Sequence, residues 1–152
     1  MTNTPQKKDL KNYFFLGGQL LLFIAFVWPT NWGYFMLSKD FIVLLRLVAF
    51  MALAFSLVAM ISFDYLISPF PSPNAKTQLK TTGVYKYSRH PIYTGLIFFF
   101  LAWAVANTSY YQLFVALLFF VLIYFKAKYE EEQLSIKFNA YIAYKKQTRM
   151  FL

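Results

Sequence analysis

Four long apolar stretches, parted by short polar breaks and one long polar loop, organise the chain. The first covers about residues 13–28 and is stopped by Pro29, which cannot continue a helix. The second covers about 40–67. At ~1.5 Å per residue it would reach roughly 40 Å, more than a bilayer core, so tilt or projection into solvent is expected. A proline-rich run over 68–73 then opens a loop that lasts to residue 90. Pro91 opens the third stretch, to about 107, and proline suits the first helical position because its missing N–H would be unpaired there. The fourth, about 111–127, meets no breaker, and its helical pattern runs on through Glu130, Glu131 and Glu132 to Phe138. One continuous helix is therefore predicted to leave the membrane and extend into a C-terminal helical tail over 128–152. The pattern predicts an all-α integral membrane fold with about four transmembrane helices in one domain, residues 1–152.

The basic residues test this map, because loops on the cytosolic side hold an excess of Lys and Arg. Lys7, Lys8 and Lys11 precede the first stretch; Lys76, Lys80, Lys86 and Arg89 lie in the long loop; Lys126, Lys128, Lys137, Lys145, Lys146 and Arg149 lie in the tail. Between the first two stretches there is only Lys39, and between the last two there is none. Both termini and the 68–90 loop are thus expected in the cytosol, and the loop and the glutamate helix share one face of the membrane. The basic start resembles a signal peptide, yet no small-residue cleavage site precedes Trp28 and Pro29, so it reads as a retained first span. Trp28 and Trp32 are expected at the interface.

Composition agrees: 59% of the 152 residues are hydrophobic and 22% aromatic, well above an ordinary soluble domain. The excess of 15 Lys and Arg over 6 Asp and Glu could mark a nucleic-acid binder, but it is confined to particular loops, so no nucleic-acid partner is expected. With no Cys there is neither a disulfide framework nor a thiolate metal site, and a single His excludes a multi-histidine metal centre. No glycine-rich phosphate loop is present, so a nucleotide-like ligand must be held by helices and their edges.

Candidate chemistry is concentrated where the loop enters the third stretch. Arg89 and His90 occupy the extended approach that a following proline enforces, and Tyr93 falls in the first helical turn. With the free N–H groups of the helix start they describe a site for a carboxylate or phosphate. The alternative is that Arg89 snorkels to lipid phosphate and His90 caps the helix. Glu130 shares a helical stripe with Leu134, Phe138 and Tyr141, and is expected to face packed protein, with Glu131 and Glu132 flanking it. A carboxylate so placed can accept from ribose hydroxyls or an ammonium; the plainer account pairs Lys126 with Glu130 and Lys128 with Glu132 on a solvated helix. Arg46 and Asp64 are charges within the second stretch, about 27 Å apart on a straight helix and unable to pair. Asp64 is near enough to the loop to serve the site, although interfacial solvation also accounts for it.

Gly83, Tyr85, Arg89, His90, Pro91, Tyr93 and Gly95, followed one span pair later by Glu130, Glu131, Leu134 and Phe138 and then Tyr141 and Tyr144, resemble the isoprenylcysteine carboxyl methyltransferase family. That family lies within a wider group containing the phospholipid N-methyltransferases. The likeness covers roughly the last 70 residues; the tail tyrosines come one residue early, and Asn139 follows Phe138 where family members usually have Gly. The resemblance implies a cytosol-facing pocket for S-adenosylmethionine lined by Tyr85, Arg89, His90 and Tyr93 and completed by Glu130 and Glu131. It places Arg89, His90 and Tyr93 at the catalytic end. The acceptor is expected to reach the methyl group from the lipid side, as a lipophilic or lipidated molecule: a prenylcysteine-like carboxylate, a lipid amine, or a small thiol or acid. A carboxylate would need no base, whereas an amine or thiol would leave His90 as the only near-neutral candidate. Two other classes share features of the chain. Membrane sterol and steroid reductases resemble it in an Arg-His motif and a Tyr-bearing acidic tail, and would bind NADPH through Lys145, Lys146 and Arg149. A non-enzymatic scaffold would explain the hydropathy but not the costly polar cluster.

Overall fold

A computed structural model describes residues 10–62, 70–73 and 77–152. Asp64 lies outside them, as do Lys7, Lys8 and Lys76. Among the described residues the chain is helical: α1 Leu10–Val27, α2 Lys39–Ile61, α3 Pro91–Ala106, α4 Tyr110–Lys137 and α5 Ala140–Gln147, with a short 3-10 turn at Gly83–Lys86. The starts follow local chemistry. Ser38 caps α2 by accepting from the Phe41 N–H at 3.4 Å, with Asp40 in the first turn, and Ser109 caps α4 by accepting from the Gln112 N–H. Pro91 is the first residue of α3. As the pattern predicts, α4 is one unbroken helix of 28 residues, about 42 Å long, and it ends where Phe138 turns extended. Helix α2 is 23 residues, Lys39–Ile61, and residues 63–67 of the expected second stretch lie outside the described residues.

Three helices, α1, α2 and α4, are long and apolar enough to cross a membrane, while α3 is apolar but only 16 residues long. Side-chain exposure identifies their surroundings. Leu21, Ile24, Val43, Leu47, Phe50, Met51, Leu117 and Val121 all point outward, an apolar surface far larger than water tolerates, and this is an integral membrane protein. Arg46 is exposed on α2 within two turns of its start, and Trp28 and Trp32 are exposed beside the end of α1.

Helix α2 packs chiefly on α3, and α4 packs on α1, α3 and α5. The α2–α3 seam is close because of Gly95: a Cβ there would stand 2.5 Å from the Ala52 carbonyl oxygen and 2.7 Å from the Ser56 Cβ. Ser56 also donates from Oγ to the Ile92 carbonyl at 2.9 Å. Inside, Phe100 stacks on Phe119 at 4.3 Å and meets Phe26 at 4.4 Å, joining α1, α3 and α4.

The connections sort to two ends. At one end the α1–α2 connection meets the tight α3–α4 turn, through a bridge of Tyr34 with Ser109 and a 2.9 Å bond from the Phe35 N–H to the Thr108 carbonyl. At the other, Ser72 donates to Asn12 at the start of α1, and the loop before α3 runs against the tail after α5.

Candidate active site

The loop before α3 is built to hold its side chains still. Gly83 takes φ +64°, a left-handed conformation that suits glycine, and starts the 3-10 turn. The turn buries Tyr85, whose hydroxyl donates to the Ala59 carbonyl at 3.2 Å, while its own carbonyl accepts from the Tyr144 hydroxyl at 2.5 Å. Next, the backbone N–H groups of Arg89 and His90 donate to the carbonyls of Arg149 and Met150, at 2.9 and 3.1 Å, so the tail lies beside the loop as a short parallel strap. Buried Ser88 adds a bond from Oγ to Met150.

Arg89 is a hub. Its Nε meets Glu131 Oε1 at 2.6 Å, and its Nη1 donates to the carbonyls of Lys145 and Thr148. Lys145 Nζ reaches Glu131 Oε2 at 2.8 Å, so one carboxylate only 1% exposed is enclosed by two cations. His90 is the residue preceding the first turn of α3 but does not cap it with its side chain. Its ring instead lies parallel to that of Tyr93, centroids 5.3 Å apart. His90 Nδ1 is 3.8 Å from Glu130 Oε2, and Nε2 is 3.4 Å from Glu131 Oε1 without hydrogen-bond geometry. Tyr93 donates its hydroxyl to Glu130 at 3.0 Å.

These groups surround a cavity of about 410 Å³ that touches all five helices, within the ~300–1,000 Å³ of small-molecule sites. Tyr85, Arg89, His90, Tyr93 and Glu130 line it; Glu131 does not, because it stands behind Arg89. The expected order of the glutamates is thereby reversed: Glu131 is buried and Glu130 half-buried. The inner face of α4 runs through Phe119, Ile123 and Ala127, each fully buried, and four residues further along it falls on Glu131. Neither i,i+4 pair expected on this helix forms an ion pair. Lys128 sits over the Tyr124 ring, and Lys126 is 3% exposed, bonded through Nζ to Gln19 Oε1 at 2.7 Å.

Sequence reasoning had not assigned Lys126, Gln19, Tyr141 or Tyr144 to the site, yet all four line the cavity. The Tyr141 hydroxyl is buried without a hydrogen-bond partner. Burial raises its pKa, with Glu131 adding to the effect, and burial pushes Tyr144 up to about 12 against the pull of Arg89. Tyr85 is raised by burial and by Glu130. All three phenols therefore keep their protons, and the Tyr141 O–H is a donor without a taker. The spacing of Tyr141 and Tyr144 in the tail was the signal available for them; for the buried Lys126, the polar interruption at Gln19 on α1 was the only hint.

Residues 41–140, about two thirds of the chain, match the family model described as phospholipid methyltransferase. The chain belongs to the phospholipid methyltransferase family. This is the wider group to which the loop and glutamate motifs pointed, and it makes the protein a membrane methyltransferase. The match begins at Phe41 and ends at the first residue of α5, so it contains Tyr85, Arg89, His90, Tyr93 and both glutamates. Outside the match lie Gln19 on α1 and the tyrosines of α5, which line the same cavity, and the strap of Arg149 and Met150, which holds the loop beside it. No curated protein matches the chain.

Proposed function

We propose that this phospholipid methyltransferase family member uses S-adenosylmethionine to methylate a lipophilic, membrane-partitioned acceptor in the cavity beneath the Arg89–His90 loop. The observation that carries the reading is convergence: Arg89 and His90 from the loop, Tyr93 from α3 and Glu130 from α4 face one cavity, with Tyr93 and Glu130 in direct contact. S-adenosylmethionine supplies a methyl group already activated on sulfur, so transfer asks the protein mainly for alignment and exclusion of water.

The donor set suits that cofactor. Arg89 has spent Nε and Nη1 on Glu131 and the tail, which leaves Nη2 for a carboxylate. Glu130, half-buried, can accept from ribose hydroxyls or an ammonium. The Tyr93 and Tyr141 rings offer aromatic surface to a sulfonium, and the unpartnered Tyr141 hydroxyl is a donor awaiting an acceptor. Glu131 belongs to the scaffold that fixes Arg89. For an amine or thiol acceptor, His90 would take the proton.

In the proposed topology the chain crosses four times, with α3 as the short span sheltered by α2 and α4, and the site opens to the cytosol beside the basic loop and tail. The test is equilibrium binding to the full-length protein in detergent. S-adenosylhomocysteine is expected to bind with a Kd of about 1 μM or below, with loss of affinity in Glu130→Ala, Tyr141→Phe and Arg89→Ala. Tight binding of NADPH in its place would overturn the assignment in favour of a reductase.

A further inference from the structure

His90 is held beside the cavity without a hydrogen bond from its ring. Nε2 has no partner in hydrogen-bond geometry, and Nδ1 is 3.8 Å from the Glu130 carboxylate. Polar contacts therefore do little to fix the imidazole, and the torsion that turns it is a broad one. Its orientation is left to the aromatic rings that meet it. One is Tyr93, parallel to it at 5.3 Å; the other is Phe151, from the strap, at 6.2 Å and inclined by 53°.

Phe151 reaches this place through an abrupt change in the tail. Lys145, Lys146 and Arg149 make the segment after Tyr144 basic, and Met150, Phe151 and Leu152 then follow as consecutive apolar residues. A polar tail end would be expected to fray, but this one is tied down on both sides of Phe151. Before it, the carbonyls of Arg149 and Met150 accept from the Arg89 and His90 N–H groups; after it, the Leu152 N–H donates to Thr94 Oγ1 at 3.5 Å, on the first turns of α3. Phe151 itself packs on the core that joins α1, α3 and α4, and meets the Phe120 ring at 6.4 Å. Phe120 precedes Glu131 by three turns of α4, roughly 16 Å toward the middle of the bilayer. An apolar seat, not a charge, draws the strap's end down along that helix. The same strap supplies the Thr148 carbonyl that accepts from Arg89 Nη1.

We infer that Phe151 is a positioning residue for the methyl-transfer site: seated against His90 and Phe120, it holds the imidazole against Tyr93 and pins the strap whose carbonyls fix Arg89 and the loop. The inference rests on the proposed methyltransferase site. It goes further by giving a role to the apolar end of the tail, which lies outside the matched residues 41–140.

The chain has a single histidine, so its ring can be followed by NMR without ambiguity. Full-length protein in detergent, isotope-labelled at His and Tyr, should show one set of His90 ring signals and an Overhauser contact to the Tyr93 ring. In Phe151→Ala the His90 signals should broaden or double and that contact should be lost, with S-adenosylhomocysteine bound about tenfold more weakly because Arg89 and His90 are no longer held in place. Phe151→Leu keeps an apolar wedge, and should restore the single set of signals and an affinity within about threefold of wild type. Phe120→Ala, which opens the seat from α4, should produce the changes of Phe151→Ala in weaker form. A residue that served stability alone would lower Tm and leave the His90 spectrum as it was below the transition. One set of His90 signals with the Tyr93 contact intact in Phe151→Ala therefore overturns the inference, whatever the Tm or the affinity. Should Phe151→Ala fail to fold, the same two signals in Phe120→Ala decide it. Failure of S-adenosylhomocysteine to bind the wild-type protein would count against the cofactor reading alone, because the His90 spectrum is read without it.

Discussion

Two adjacent glutamates do different work because they point in directions about 100° apart on one helix. Glu131 is enclosed by Arg89 and Lys145 and faces no cavity, whereas Glu130 faces the cavity, accepts from the Tyr93 hydroxyl and lies 3.8 Å from His90 Nδ1. Removing Glu131's charge leaves a guanidinium only 7% exposed without its counter-ion. Glu131→Gln is therefore expected to cost about 3 kcal/mol, seen as a lowered Tm in detergent, with ligand binding lost as a consequence of a displaced Arg89. Glu130→Gln should leave Tm within a degree or two and still abolish S-adenosylhomocysteine binding. Equal Tm values for the two variants would contradict this division. The presence of an acidic pair opposite an Arg-His pair was legible in the sequence; which glutamate turns inward was not. In a water-soluble helix the polar face fixes the phase of the buried stripe, but α4 is apolar on every side from Leu113 to Phe125, so sequence offers no such contrast there and the ring stack at Phe119 marks the buried phase.

At the scale of elements, the sequence announces helix starts better than helix partners. Pro91 and the hydroxyls of Ser38 and Ser109 mark their helices through local bonds that need no tertiary context. The seam between α2 and α3 depends on a contact between residues distant in the chain, and only the missing side chain of Gly95 hints at it. A methyl group there would meet the Ala52 carbonyl and the Ser56 backbone, neither of which can turn away. Gly95→Ala should thus part the helices and lower stability by about 1–3 kcal/mol, read as a shift in thermal unfolding. Because Tyr93 and Ile92 precede it on the same helix, cofactor affinity should fall with it. Gly17, with nothing within 4 Å of its missing Cβ, makes the control: Gly17→Ala should be neutral or slightly stabilising. The break between α4 and α5 was also hidden. The helical pattern reads through Phe138 toward the tail, but Phe138 turns extended, and that corner brings Tyr141 and Tyr144 back over the cavity.

At the scale of the molecule, polarity between the two ends links fold to function. One end holds the α1–α2 connection and the α3–α4 turn, with Lys39 the basic residue there; the other gathers the loop, the polar end of α4 and the tail, with Lys80, Lys86, Arg89, Lys145, Lys146 and Arg149. Tail carbonyls accept from the loop's backbone and from Arg89, so the site requires all of these on one side of the bilayer, and the excess of basic residues is what the proposed cytosolic orientation rests on. The chain has no cysteine, which allows the assignment to be read directly. Met36, 98% exposed between α1 and α2, and Lys86, exposed in the motif loop, become reporters as Met36→Cys and Lys86→Cys. In intact cells a membrane-impermeant maleimide should label Met36→Cys at once and Lys86→Cys only after permeabilisation. Labelling in the opposite order would invert the proposed topology and put the cavity where no cytosolic methyl donor could reach it; labelling of both in intact cells would mean that α2 does not span the bilayer, and the shared face on which the site is built would be lost.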